Sequence, residues 1–264
     1  MKFLLLFGHA SIVYSFATKK GGFGAASTAA KTKKKTIKKK ETPSFATATK
    51  PAGDNVPQEN ALVVRRYPIL DQVANSQFMG SFLIDDESII DGMMKLFDDA
   101  VPIRGVVSTQ SSAVPIVDKS VKDSFETSVL PNDPRPEWKN YLRVLKACAG
   151  LYVQDYPYSA AYGAWSLISR TNIQRYPPSG GYKTFHTERT GAGEPEGSRH
   201  LVFMTYLNDV TDQGGTEFIH QNITIQPVKG LTLIWPADWT FTHRGVPSPT
   251  QEKTIATGWF NFLP

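Results

Sequence analysis

The chain has 264 residues, 41% hydrophobic and 11% aromatic, which is enough to bury one sizeable core with extensions. A single cysteine, Cys148, excludes an intrachain disulfide and a Cys-rich zinc site. The net charge of +5 resides in the leader: residues 1–60 hold eleven Lys against three acids, leaving 18 basic and 21 acidic groups in the other 204. The folded part is thus slightly acidic, and no nucleic-acid partner is expected for it.

Residues 1–17 open on Met1-Lys2 and an apolar run from Phe3 to Val13. Gly8 and His9 interrupt the run, and it is too short to span a membrane. It fits a signal peptide with small residues near Ser15 and Ala17, so no transmembrane segment is expected in the mature protein. Segment 18–60, with KTKKKTIKKK at 31–40 and no acid before Glu41, reads as a basic transit segment and linker. Together the two pieces resemble the two-part presequences of algae with complex plastids, with Phe16 at the cleavage point. The resemblance implies delivery to such a plastid; the other destination open to a signal peptide is the endoplasmic reticulum and secretory pathway.

Ordered structure is expected from Ala61, with 61–165 as a helical and loop support region. Asp85, Asp86 and Glu87 precede Ile89, Ile90, Met93, Met94 and Phe97 at helical spacing, as an acidic helix start requires. Residues 100–135, with four prolines, read as loops with short extended pieces. A second helix follows Pro136, on the stripe Trp138, Tyr141, Leu142, Leu145, Ala149 and Tyr152. Cys148 on that helix reads as a buried thiol. From residue 166 the pattern changes to short runs between turns: 166–176, 200–208, 216–219, 222–226, 230–235 and 253–262. Helices first and strands afterwards is an α+β order, mainly β, with a sheet folded into two packed layers.

His186 and Glu188 are two apart, so on extended backbone both side chains reach one side. Two histidines and a carboxylate form the ligand set of a non-haem Fe(II) centre with open positions. Spacing alone leaves His9, His200, His220 and His243 open as the second imidazole. Along 253–261, Lys253, Ile255, Thr257, Trp259 and Asn261 share one face, and a lysine on an inward face requires an anion.

Residues Tyr182–Glu188, Leu201–Asn208, Gly214–Phe218, Pro227–Gly230, Trp235-Pro236, His243–Gly245 and Lys253–Phe260 resemble the prolyl 4-hydroxylase-like 2-oxoglutarate/Fe(II)-dependent dioxygenases, in the short form of phages and marine microbes. The resemblance runs through 166–264. It implies a jelly roll (double-stranded β-helix) with amino-terminal supporting helices. His186, Glu188 and His243 match the Fe(2+) ligands. Lys253 and Tyr206 match the residues that hold the far carboxylate of 2-oxoglutarate, and Trp259 matches a core aromatic of the co-substrate pocket. The implied reaction is hydroxylation, of peptidyl proline or another substrate, using O2 and releasing succinate and CO2, with ascorbate as an optional reductant. A small-molecule or nucleobase hydroxylase of the same class, and a jelly-roll binding module without turnover, are the alternatives. Most of the family has Asp at the position of Glu188. This HxE variant keeps the carboxylate, which argues against halogenase chemistry and leaves the substrate open. Tyr176, Tyr182 and Arg189 lie around the first metal segment, and Arg244 and Trp235 flank His243, as candidates for the pocket. The glycine-bearing loop 190–199 is expected to be a mobile edge of the site.

Overall fold

The computed structural model describes residues 64–68, 76–109, 112–191 and 193–264, so the readings of the leader lie outside the described residues. The elements are β1 (Val64–Arg66), β2 (Gly80–Ile84), α1 (Glu87–Asp98), β3 (Ile103–Arg104), β4 (Val107–Thr109), β5 (Ser112–Ile116), β6 (Lys122–Asp123), β7 (Phe125–Val129) and α2 (Pro136–Asp155). They continue with β8 (Trp165–Ser166), β9 (Thr171–Tyr176), β10 (Gly181–Tyr182), β11 (Arg199–Tyr206), β12 (Thr216–Phe218), β13 (Ile223–Ile225), β14 (Leu231–Pro236), β15 (His243–Gly245) and β16 (Lys253–Phe262). No helix among the described residues is long and apolar enough to cross a membrane.

Both helices form where the sequence predicts. Asp86 caps α1 by accepting from the Ser88 amide, and Ile89, Ile90, Met93, Leu96 and Phe97 are its buried face. α2 starts with Pro136 in its first turn, where a missing N–H costs nothing, and buries Trp138, Tyr141, Leu145, Cys148 and Tyr152. Burial pushes the Cys148 thiol up to about 12, which makes it an inert packing residue.

A nine-stranded sheet runs β1-β2-β14-β11-β16-β9-β7-β3, with β8 also on β16. A smaller sheet, β13-β12-β15, faces it. Two apolar layers result, and alternation along the strands sorts residues between them. In β11, Leu201 and Phe203 belong to the layer under the helices, whereas Val202, Met204 and Tyr206 belong to the layer beneath the small sheet. In β14, Ile234 faces the helices while Leu231, Leu233 and Trp235 face the other way. The site lies in this second layer, so a one-residue slip in either strand would remove its walls. Burying side chains the size of Phe203, Ile234 and Leu233 stabilises by about 1.5–3 kcal/mol each.

The six runs read in 166–264 all contain strands, with 166–176 divided into β8 and β9, while the short β10 and β15 fall outside them. In the support region β3 and β7 fall where short extended pieces are expected, whereas β1 and β2 do not, and all four are strands of the large sheet. β2 (GSFLI) is buried almost throughout. A short two-sided apolar run carries no alternation by which to tell strand from helix. β7 (FETSV) is largely half-buried and polar.

Candidate metal centre

His243 opens β15, and His186 joins it through an isolated antiparallel bridge. The His186 amide donates to the His243 carbonyl at 2.9 Å and the His243 amide returns a bond at 3.0 Å. This bridge, rather than the expected regular strand, aligns 186–188; Glu188 lies in a bend. The same-side relation of residues two apart survives. His186 Nε2 and His243 Nε2 each lie 3.5 Å from Glu188 Oε1, and one ligand atom from each of the three residues falls within 4.8 Å of the others. Among the described residues this is the one such group of three.

Each imidazole is oriented by its own backbone. His186 Nδ1 donates to the Thr184 carbonyl at 3.1 Å, and His243 Nδ1 donates to the Phe241 carbonyl at 2.9 Å. Nδ1–H is therefore committed, so each ring turns Nε2 to the carboxylate, donating to it when protonated and leaving a lone pair for a metal when neutral. Tyr182 stacks on the His186 ring at 3.9 Å, and Trp235 packs edge-on against His243 at 5.2 Å. Burial pushes the Glu188 carboxyl up, but hydrogen bonds and charge from the two imidazoles outweigh it and hold the group well below the usual carboxylate range. Burial, helped by the neighbouring His186, lowers the His243 pKa below 6.5. Near neutral pH the centre thus offers an ionised carboxylate and a neutral His243, which fits Fe(II). The other described histidines are elsewhere. His200 packs on Trp165 and Phe262 with Nε2 bonded to the Ser159 carbonyl, and His220 stands edge-on to Trp239.

The centre opens into a cavity of about 890 Å³ whose lining includes Lys253. Lys253 is 3% exposed, and its Nζ donates to the carbonyls of Gly214 at 2.6 Å and Val246 at 3.3 Å. It forms no ion pair among the described residues, and burial lowers its pKa to about 8. An ammonium group held this way lacks its counter-ion, and a dicarboxylate co-substrate would supply one. Gly214 makes the contact possible: its φ of +76° presents the carbonyl, and a Cβ there would lie 2.7 Å from Val210.

Tyr206 is fully buried in the second apolar layer. Its hydroxyl donates to Thr216 Oγ1 at 2.7 Å and to the Ile225 carbonyl at 3.2 Å, and it does not line the cavity. The ring lies on the inner face as alternation demands, and its hydroxyl sits against Thr216 of β12, which lines the cavity. Tyr176 lines the cavity instead, 5.3 Å from Lys253 Nζ at the ring centroid, with its hydroxyl on Gln174 Oε1 at 2.5 Å. Trp259, Tyr182 and Trp235 also line it. Arg189 and Arg244 do not: each turns to a carboxylate of its own, Asp238 at 2.5 Å and Glu217 at 2.7 Å. The sequence reading missed Arg199, Lys122 and Gln174. Lys122 is buried in an ion pair with Glu126 at 2.5 Å. Nothing in local spacing reports a pairing across the fold.

A jelly-roll core with an imidazole–carboxylate–imidazole centre and a buried lysine across the cavity defines a non-haem iron oxygenase type of site. Residues 171–261 match the 2OG-Fe(II) oxygenase superfamily. This segment carries the sequence pattern of that superfamily's oxygenase domain. Human prolyl 4-hydroxylase subunit alpha-3 is 27% identical over 101 residues, 34% of this chain and 19% of that one. The match thus spans about a fifth of that curated relative's length. Three solved structures share the fold. The viral collagen prolyl hydroxylase of Paramecium Bursaria Chlorella virus-1, in its 2OG complex, has TM-score 0.52 and 16% identity over 72% of this chain and 99% of its own. A Pseudomonas putida prolyl-4-hydroxylase has 0.53 and 15% over 74% and 100%. A Trichoplax adhaerens prolyl hydroxylase, in complex with a hypoxia inducible factor peptide fragment, has 0.53 and 14% over 73% and 86%.

Proposed function

We propose that the protein hydroxylates a prolyl residue in a peptide, consuming 2-oxoglutarate and O2 and releasing succinate and CO2. The observation that carries the co-substrate half is the buried lysine without a carboxylate partner, in the same cavity as the two imidazoles and Glu188. The peptide half is supported by the prolyl hydroxylases among the relatives. Bound Fe(II) would supply the oxidative chemistry, with ascorbate as the reductant that keeps it ferrous.

The protein's own part is positioning. His186 and His243 present Nε2 with Nδ1 already committed, so little orientational freedom remains to be lost on binding the ion. Lys253 pairs with the distal carboxylate of 2-oxoglutarate, which fixes the near end toward the ligands. Trp235 and Tyr182 keep the imidazoles from tilting and exclude water from that side.

Succinate formation from 2-oxoglutarate with Fe(II) and ascorbate, measured with and without proline-rich peptides, tests the proposal. Stimulation together with a +16 Da peptide product is the expected result. Succinate that rises only with a small-molecule or nucleobase pool overturns the prolyl reading, and none with any pool favours a binding module. The leader reading stands as a separate proposal. A fluorescent protein fused behind residues 1–60 should reach a plastid or the secretory pathway, and a cytosolic signal would refute it.

A further inference from the structure

Glutamate has one more torsion than aspartate, and that freedom must be removed before its oxygens are placed. Two side chains remove it. Trp259 Nε1 donates to Glu188 Oε2 at 3.0 Å. Arg199 Nη1 lies 3.6 Å from the same oxygen and donates to the Glu188 backbone carbonyl at 2.7 Å. The guanidinium also lies over the Trp259 ring, 3.7 Å from its centroid, so the two donors brace each other. Glu196 Oε1, 3.5 Å from Arg199 Nη2, holds the outer side of the guanidinium. With Oε2 held, Oε1 is the oxygen equidistant from both Nε2 atoms. Alternation along β16 delivers this arrangement: Lys253 and Trp259, six apart, share the inner face, one at the co-substrate end and one at the carboxylate.

We propose that Trp259 and Arg199 clamp Oε2 of Glu188, fixing the carboxylate as a single-oxygen metal ligand and making the centre specific for glutamate at that position. The proposal rests on the reading of the three residues as a divalent-metal site. Trp259 and Arg199 are positioning residues, acting on the ion only through Glu188. An aspartate there, shorter by one carbon–carbon bond, cannot reach both the ion and the indole N–H from the same backbone. The residue usual in the family should therefore bind metal worse here.

The test is aerobic titration of the metal-free protein with Co(II), for wild type, Trp259→Phe, Glu188→Asp and the double variant. Loss of an outer-shell partner of a metal ligand typically weakens binding about 10- to 100-fold. Each single variant should weaken Co(II) binding by about that factor, and the double variant should match Glu188→Asp within about threefold, because the shorter carboxylate has no indole contact to lose. A purely structural Trp259 would give losses that multiply. Multiplying losses, or a Trp259→Phe affinity within about twofold of wild type, overturn the clamp. If Trp259→Phe does not fold, Arg199→Gln carries the same test: weaker binding when Glu188 is present, unchanged binding when it is added to the Glu188→Asp variant. Wild type that binds no Co(II) would refute the metal centre itself, whereas wild-type binding with unaffected variants refutes only the clamp.

Discussion

Replacing Lys253 by methionine should change how stability depends on pH, by an amount the structure sets. The folded protein releases the Lys253 proton near pH 8, whereas the unfolded chain holds it to 10.5. Between those values the unfolded state binds more protons, so the free energy of unfolding rises with pH. A gap of about 2.5 pH units, at about 1.4 kcal/mol each, amounts to about 3.4 kcal/mol of destabilisation, fully present below pH 8 and gone above 10.5. Between pH 7 and pH 10 about 2.5 kcal/mol of it is relieved. Lys253→Met removes this titration and leaves the others in place. It also leaves the Gly214 and Val246 carbonyls without their donor, a cost that does not vary with pH. Urea unfolding of both proteins at pH 7, 8, 9 and 10 isolates the effect: wild-type minus variant stability should climb by about 2.5 kcal/mol across the series. A flat difference would refute the reasoning, because Lys253 would then be solvated or already paired. With Mn(II) and 2-oxoglutarate present the climb should disappear, since the ammonium has gained its counter-ion.

Further outcomes follow from the same geometry. The dissociation constant for 2-oxoglutarate, measured calorimetrically with Mn(II), should be level below pH 8 and rise above it, by at most about tenfold per pH unit, because binding must then take up a proton at Lys253. Tyr206→Phe should leave the KM for 2-oxoglutarate unchanged while lowering stability by about 1 kcal/mol in denaturant melts, since the hydroxyl bonds Thr216 and the Ile225 carbonyl. Phe203→Ala, fully buried under the helices, should cost about 3–5 kcal/mol by the same melts without altering metal stoichiometry. Because burial lowers the His243 pKa from 6.5, metal affinity should hold level through pH 7 and fall only under more acidic conditions, as Co(II) titration would read.

The sequence made the metal residues legible because two of them are neighbours. His186 and Glu188 announce themselves by spacing, and Lys253 by its place on an inward face, both consequences of a two-residue period. His243 was not selected by spacing: four histidines fitted equally, and only the surrounding motif separated them. Most strands of 166–264 were readable from their turn residues, but the short β10 and β15 were not, nor was β2, which does not alternate. The fate of the Tyr206 hydroxyl depends on how far its ring reaches across the layer to Thr216, which no one-dimensional pattern carries. Arg199 was passed over beside His200, although the fold turns it onto Trp259 and Glu188.

Anaerobic titration of the metal-free protein with Fe(II), followed by addition of 2-oxoglutarate, tests the central claim most directly. Wild type should bind one equivalent of Fe(II) and develop a visible charge-transfer absorption only when 2-oxoglutarate is added, while His243→Ala should bind none. Full Fe(II) stoichiometry in His243→Ala, or no absorption change with 2-oxoglutarate in wild type, would contradict it.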